Sequence, residues 1–380
     1  MIKTVTMGDL GTIITGNTPP RSRPELYGSH TPFVKATDIS ENEKYTYNPE
    51  EGYSEEGYKK YIKSLVPKGS TCVVTIGSIG KKMTMAHCDL FINQAMNAII
   101  PFPNFDKDYV YYAVRNVLSN IKALDSGTAS GRENVSKSAF SRMKVIIDDD
   151  LLIQKRIATT LSRYDSLIDN YQKQIKLLEE AAQRLYKEWF VNLRFPGHEN
   201  TKIVDGVPEG WEKKKLGSIA PILTGKKDAN YGTPDGNYPF FTCSQEPIKA
   251  PSYSFDAEAV LLAGNGDFNV KLYRGKFEAY QRTYVLIPSN ADLLYVLYNS
   301  VAKNMVKLAN GASGSTIKFL TKRMIENIDV LVPTNTILNE YNSLRRKIQQ
   351  DLENIKSQLR LLTESRDRLL PKLLSGEIEV

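Results

Sequence analysis

The chain has 380 residues, 41% of them hydrophobic, which is enough for two or three packed domains. It contains no run of eighteen apolar residues, and Met1-Ile2-Lys3-Thr4 opens no apolar signal core, so neither a membrane span nor secretion is expected. Cys72, Cys88 and Cys243 stand apart with no Cys-x-x-Cys pair, pointing to a reducing cytoplasm, and the net charge of +7 admits an anionic partner without requiring one.

Residues 1–149 read as a mixed, β-rich globule. Leu10 to Thr15 is a short strand or turn, and Gly16-Asn17-Thr18-Pro19-Pro20 continues it as a proline-stiffened loop. Strands are predicted over Pro32–Ile39, Thr71–Ile76 and Asn93–Pro101, with a Gly77-Ser78-Ile79-Gly80 turn after the second. An amphipathic helix is predicted over Tyr109–Leu124. A flexible loop follows from Ser126 to Arg132, and Lys144–Ile147 leads out of the globule.

Residues 150–199 hold the clearest pattern in the chain. Ile157, Leu161, Tyr164, Ile168, Tyr171, Ile175, Leu178, Ala182, Leu185 and Trp189 are spaced alternately by four and three, the a/d seam of a heptad. No glycine or proline interrupts it. A helix from Leu151 to Val191 would be about 60 Å long and must bury that stripe on a partner. Residues 336–380 supply one. Positions 184 further on read Tyr341, Arg345, Ile348, Leu352, Ile355, Leu359, Leu362, Arg366, Leu369 and Leu373, with Arg345 and Arg366 as breaks in the stripe.

Residues 200–335 repeat the order of the first globule. Leu216-Gly217 and Thr224-Gly225 answer Leu10-Gly11 and Thr15-Gly16; Pro239-Phe240 answers Pro32-Phe33. Gln281 lies seven before Pro288, as Gln94 lies seven before Pro101. The chain is therefore a direct repeat of globule and helix. If each globule's ends lie close together, the helices run antiparallel and the globules sit at opposite ends of a rod. The fold class expected is α+β: two β-rich globules in tandem, with two long helices forming an antiparallel intramolecular coiled coil.

A search for catalytic chemistry finds none. Gly80-Lys81-Lys82 fails as a phosphate-binding loop, and Leu262-Ala263-Gly264-Asn265-Gly266 reads as a hairpin turn rather than a methyl-donor site. Asn237-Tyr238-Pro239-Phe240 departs from an adenine methyltransferase motif by a tyrosine in place of proline. The three histidines have no metal-ligand spacing. What remains is charge and polarity in loops. Thr18, Arg21, Arg23, Lys35, Lys81, Lys82, Gln94 and Arg132 sit in or beside loops of the first globule. Lys226, Lys227, Asn265, Lys271, Arg274, Gln281, Arg282, Ser313 and Lys318 do so in the second. Either set reads as solvated surface, or as phosphate contacts with neighbouring polar side chains reaching base edges.

Four stretches carry a family resemblance. Leu152-Ile153-Gln154-Lys155-Arg156-Ile157-Ala158 through Tyr186-Lys187-Glu188-Trp189-Phe190-Val191 closely resembles the first conserved helix of the specificity subunits of type I restriction–modification systems. Val207-Pro208-Glu209-Gly210-Trp211 looks like that family's entry to its second target-recognition domain, and Arg366-Asp367-Arg368-Leu369-Leu370-Pro371-Lys372-Leu373-Leu374 like its C-terminal signature. Thr15 to Pro20 resembles its opening motif, whereas Thr224-Gly225-Lys226-Lys227 lacks the following proline pair.

The resemblance implies a non-catalytic, cytoplasmic, DNA-binding subunit. Each globule would read one half of an asymmetric two-part site on double-stranded DNA, with the coil as spacer. Two methylation subunits and two translocase–nuclease restriction subunits would dock on it. S-adenosylmethionine, ATP and Mg would belong to those partners, and this chain would bind no cofactor. The competing readings are a fused methyltransferase–nuclease and a coiled-coil spacer whose globules bind protein.

Overall fold

In the computed structural model, which describes residues 1–127, 131, 133–314 and 318–380, contacts divide the chain into two units. Unit 1 is Met1–Gln174 with Ile355–Val380, and unit 2 is Ile175–Asn354. The division cuts both long helices.

Unit 1 begins with β1 (Ile2–Thr6), α1 (Met7–Leu10), β2 (Gly11–Thr15), β3 (Tyr27–Val34), β4 (Glu51–Tyr53) and α2 (Glu55–Tyr61). It continues with β5 (Thr71–Val74), β6 (Met83–Met85), β7 (Phe91–Ile92), β8 (Met96–Pro101), α3 (Lys107–Asn116), α4 (Lys137–Arg142) and β9 (Lys144–Asp148). Then comes α5 (Leu151–Phe190), which runs on into unit 2. The strands form a four-stranded sheet ordered β2-β8-β5-β6 and a three-stranded sheet ordered β4-β3-β7. β1 pairs antiparallel with β9 from Ile2–Asp148 to Thr6–Lys144, so the globule's first and last strands lie side by side.

Unit 2 contributes β10 (Ile203–Val204), β11 (Val207–Pro208), β12 (Glu212–Lys215), α6 (Leu216–Ile219), β13 (Ile222–Thr224), β14 (Tyr238–Phe241) and β15 (Ile248–Ala250). After these come β16 (Phe255–Ala263), β17 (Val270–Ala279), β18 (Thr283–Leu286), α7 (Leu294–Asn310), α8 (Lys322–Glu326) and β19 (Asp329–Val332), and α9 (Asn335–Leu374) returns to unit 1. One sheet, ordered β13-β18-β16-β17-β14-β15, does the work of the two in unit 1. The long β17 replaces both β6 and β7. Its early residues pair with β16, as β6 pairs with β5. Its last two, Glu278 and Ala279, run parallel to Phe240 and Phe241, as Phe91 and Ile92 run parallel to Phe33 and Val34. β12 pairs with β19 as β1 pairs with β9. Both units are thus mixed α+β globules of one plan in tandem.

The helices complete each core. In unit 1, Ile157, Ala158 and Leu161 of α5 and Leu370, Leu373 and Leu374 of α9 join the globule cluster that contains Ile99, Tyr109 and Phe140. Arg156 donates to the Val380 carbonyl and Arg366 to Asp165, so the two helices run antiparallel there. In unit 2, Trp189 and Phe190 of α5 pack their rings on Tyr341 of α9, 5.7 and 4.9 Å between centroids. Along the predicted seam Ile157, Leu161, Ile168 and Leu352 are buried. Tyr164, Tyr171, Ile175, Leu178, Leu185, Ile348, Ile355, Leu359, Leu362 and Leu369 are half-buried, while Leu152, Leu177 and Leu361 off the seam are exposed.

Local chemistry sets the element ends. Asp150 accepts the N–H of Leu152 at 2.7 Å and caps α5, in a run of three aspartates that suits the positive end of a helix. Gln154, fully buried, donates to the Asp148 carbonyl and accepts the N–H of Asp106, which locks α5 to β9 and to the start of α3.

Four expectations need correction. The strand predicted over Pro32–Ile39 is β3, Tyr27–Val34; it stops where Asp38 accepts the N–H of Lys35 and folds the chain into a turn. The helix predicted to Leu124 ends at Asn116 and tightens into a 3₁₀ turn over Leu118–Leu124. The strand predicted over Asn93–Pro101 starts at Met96, because Asn93 to Met96 is a turn. Arg345 and Arg366 do not interrupt the seam. They are 3% and 1% exposed, one over the Tyr295 ring at 4.8 Å, the other paired with Asp165.

Candidate nucleic-acid interface

In unit 1 the loop after β2 lies on the turn between β7 and β8. Gly16 donates to the Met96 carbonyl at 3.1 Å and Asn17 to that of Ile92 at 2.9 Å. A Cβ on Gly16 would stand 2.2 Å from the Asn93 carbonyl oxygen, so only glycine permits this approach. The proline-stiffened loop is then held by two tyrosine hydroxyls, Tyr53 donating to Asn17 and Tyr27 to Pro19. The far side of the same turn accepts the N–H groups of Thr75 and Ile76 on the Ala95 carbonyl, and Val135 donates to Thr75. Asp125 anchors the chain leading there. The N–H groups of Asn134 and Gly127 hold its carboxyl below the usual carboxylate range.

Unit 2 repeats the arrangement. Gly225 donates to the Thr283 carbonyl, and its Cβ would stand 1.9 Å from the Ala279 carbonyl oxygen. Gln281 donates its N–H to Lys227, Gly264 donates to Arg282, and Leu320 donates to Gly264. In both units, therefore, the same three loops and the segment before the last helix-strand pair converge.

The candidate residues divide by environment. Thr18 and Gln94 are brought together, the threonine hydroxyl donating to the amide oxygen. Lys227, Gln281 and Asn265 gather around the equivalent turn. There Gln281 donates to Asp228 at 2.6 Å, and the Lys227 ammonium lies 4.3 Å from the Tyr231 ring centre. Asn265 accepts from the Cys243 thiol at 2.9 Å. Lys81, Lys226, Arg282, Ser313 and Lys318 are exposed, and Ser313 and Phe319 exchange a pair of backbone hydrogen bonds. Arg132 lies outside the described residues.

Other candidates meet carboxylates of their own unit. Arg21 pairs with Glu51 at 2.8 Å, Arg23 with Glu25 and Glu56, and Lys35 with Glu50 and Glu51. The pairs of Arg21 and Arg23 are open to solvent and weak, so a phosphate competes with them easily. Lys82 donates to the Ala36 carbonyl at 3.4 Å. Lys271 and Arg274, expected in loops, are on β17. Lys271 is half-buried, donates to Ser244 and Asn269, and burial pulls its ammonium below the ordinary lysine range. Arg274 is turned to α7: it pairs with Glu258 and donates to the Tyr295 hydroxyl, away from the loop cluster.

Sequence reasoning passed over Asp228 and Tyr231 and read Cys243 only as an isolated thiol. Only the residues they touch carried a signal, Gln281 through the repeat and Lys227 through its charge. Among the described residues no group of three or more His, Cys, Asp or Glu side chains is placed to hold a metal ion. Nor is any helix among them long and apolar enough to cross a membrane.

The type I restriction modification DNA specificity domain family matches this chain over residues 2–180 and 208–362. The chain is 26% identical over 405 aligned residues to the type I restriction enzyme MjaIX specificity subunit of Methanocaldococcus jannaschii, covering 98% of this chain and 92% of that protein. It is 36% identical over 178 residues to the EcoDI specificity subunit of Escherichia coli, 45% of this chain and 39% of that one. Among solved structures, the S subunit of a type I restriction–modification system from M. genitalium superposes with a TM-score of 0.63 at 17% identity, covering 98% of this chain and 96% of that one, a likeness of fold. With both globules and most of the two long helices inside the family match, this chain belongs to the type I restriction-modification DNA specificity family.

Proposed function

We propose that the chain is the non-catalytic, sequence-reading subunit of a type I restriction–modification complex, working in the cytoplasm on double-stranded DNA. Each globule reads one half of an asymmetric two-part site, and the antiparallel helices set the gap between the halves. The same chain is the scaffold for two methylation subunits and two restriction subunits. S-adenosylmethionine, ATP and Mg belong to those partners.

The observation that supports this reading is the loop cluster that occurs twice, at the same topological position, in two units whose sequences have otherwise diverged. A pair of like surfaces, each with polar side chains at its centre and cations in the neighbouring loops, suits two stretches of one kind of polymer. Phosphates would be met by lysines and arginines, bases by the polar side chains.

The test is selection of duplexes from a randomised library by the purified full-length chain, repeated at rising salt. The expected result is a two-part consensus whose affinity falls linearly in log–log plots against salt, as counterions are displaced. Binding with no sequence preference, or none at low salt, would refute it.

A further inference from the structure

The turn at the centre of the loop cluster has four residues in each unit: Asn93-Gln94-Ala95-Met96 and Tyr280-Gln281-Arg282-Thr283. Each is closed by its fourth N–H donating to its first carbonyl, at 3.1 and 2.8 Å. Each follows the parallel pairing of β7 or β17, and each is capped by the close approach of Gly16 or Gly225. Three of the four positions differ between the units; only the glutamine is the same. Both glutamines are exposed. A polar side chain at an exposed corner contributes little to stability, so packing does not account for its identity at both corners.

We propose that Gln94 and Gln281 are base-reading residues, one in each half-site. We further propose that Asp228 orients the Gln281 amide so that it selects a base presenting an exocyclic amine in the major groove. This rests on the DNA-reading role above. The two amides are held differently. Gln281 donates one N–H of its NH₂ group to Asp228, at 2.6 Å, and a carboxylate has only acceptors to offer, so the amide does not invert there. The amide is thereby fixed with its carbonyl oxygen turned away from Asp228. That outward carbonyl oxygen accepts from N6 of adenine or N4 of cytosine in the major groove and is repelled by guanine O6 or thymine O4 in the same place. Gln94 is held by the Thr18 hydroxyl, which can either donate or accept. Its amide is free to invert, so either its carbonyl oxygen or its NH₂ can meet a base edge, and Gln94 is not confined to bases with a major-groove amine.

The experiment is duplex selection by the full-length chain and its variants Gln94→Ala, Gln281→Ala and Asp228→Asn, each first shown by thermal melting to fold as the parent does. In the parent, one position of one half-site is expected to be adenine or cytosine. Gln281→Ala should lower the preference at that position roughly fivefold or more and leave the other half-site unchanged. Gln94→Ala should do the same at one position of the other half. Asp228→Asn frees the amide to invert, so guanine and thymine should become acceptable at the Gln281 position alone. If the parent selects a two-part site and both alanine variants keep every preference, the glutamines do not read bases. If only Asp228→Asn is without effect, the orientation by Asp228 is refuted. If the parent selects no sequence at all, the DNA-reading role itself fails, a result distinct from either of these.

Discussion

Arg366 of α9 donates to the carboxylate of Asp165 on α5 at 2.7 Å, and the two side chains are 1% and 8% exposed. The other oxygen of Asp165 accepts the Tyr112 hydroxyl from α3, and Lys44 reaches Tyr112, Ser162 and Asp108 beside it. Within unit 1 this network joins the globule to both helices. Removing one member strands the other charge. Arg366→Ala should cost about 3–5 kcal/mol, whereas the paired replacement Asp165→Leu with Arg366→Met should recover most of that loss. Chemical denaturation of the three proteins checks it.

A charge in the apolar seam has no such partner. Ile168 and Leu352 are buried, the first within unit 1 and the second within unit 2. Ile168→Asp or Leu352→Asp should each cost several kcal/mol. Each variant should melt well below the parent and lose assembly with other subunits, read by size-exclusion chromatography.

Glycine is obligatory where the loop meets the turn. Gly16→Ala and Gly225→Ala each force a methyl to within 2.2 and 1.9 Å of a backbone oxygen. The expected cost is about 1–3 kcal/mol, because backbone must move. Duplex selection should show lost preference in the half-site of the altered unit and an intact preference in the other.

The spacing role proposed for the helices has its own test. Gln174 lies nine residues after Asp165, and Ser357 nine before Arg366, so the antiparallel pair brings them to one level. One heptad inserted after each lengthens both helices by roughly 10 Å, or about three base pairs. The preferred gap should grow by about one to three base pairs with weaker binding, since the added rotation must be absorbed by the DNA. An unchanged gap in a folded variant would make the helices a tether.

The helices were legible because their seam repeats over many turns, and a long period survives a few odd residues. The order of the globules was legible from turn residues such as Gly16 and Gly225, whose close approach admits no substitute. The fate of Arg345 and Arg366 was not. Charge in a sequence suggests solvent, and their partners, Tyr295 and Asp165, are 50 and 201 residues away. Strands as short as β6 and β7 carry too few residues to show an alternation. That one longer strand replaces them in unit 2 is a matter of tertiary pairing alone. Arg274 looked like a loop cation because its place on β17 depends on β16, which the turn-based reading did not resolve.

The antiparallel pairing of α5 and α9 also orders events in time. Ile157 and Leu161 share a core with Leu370, Leu373 and Leu374, residues that lie near the other end of the chain. At about 5–20 residues per second of synthesis, roughly ten to forty seconds separate the two helices. Through that interval α5 stands on the ribosome with its globule closed by β1 and β9 but its apolar stripe bare. The longer α5 waits for α9, the longer that stripe is open to contact with other chains. Slowing translation between the helices should raise the yield of aggregated chain more than slowing it before them.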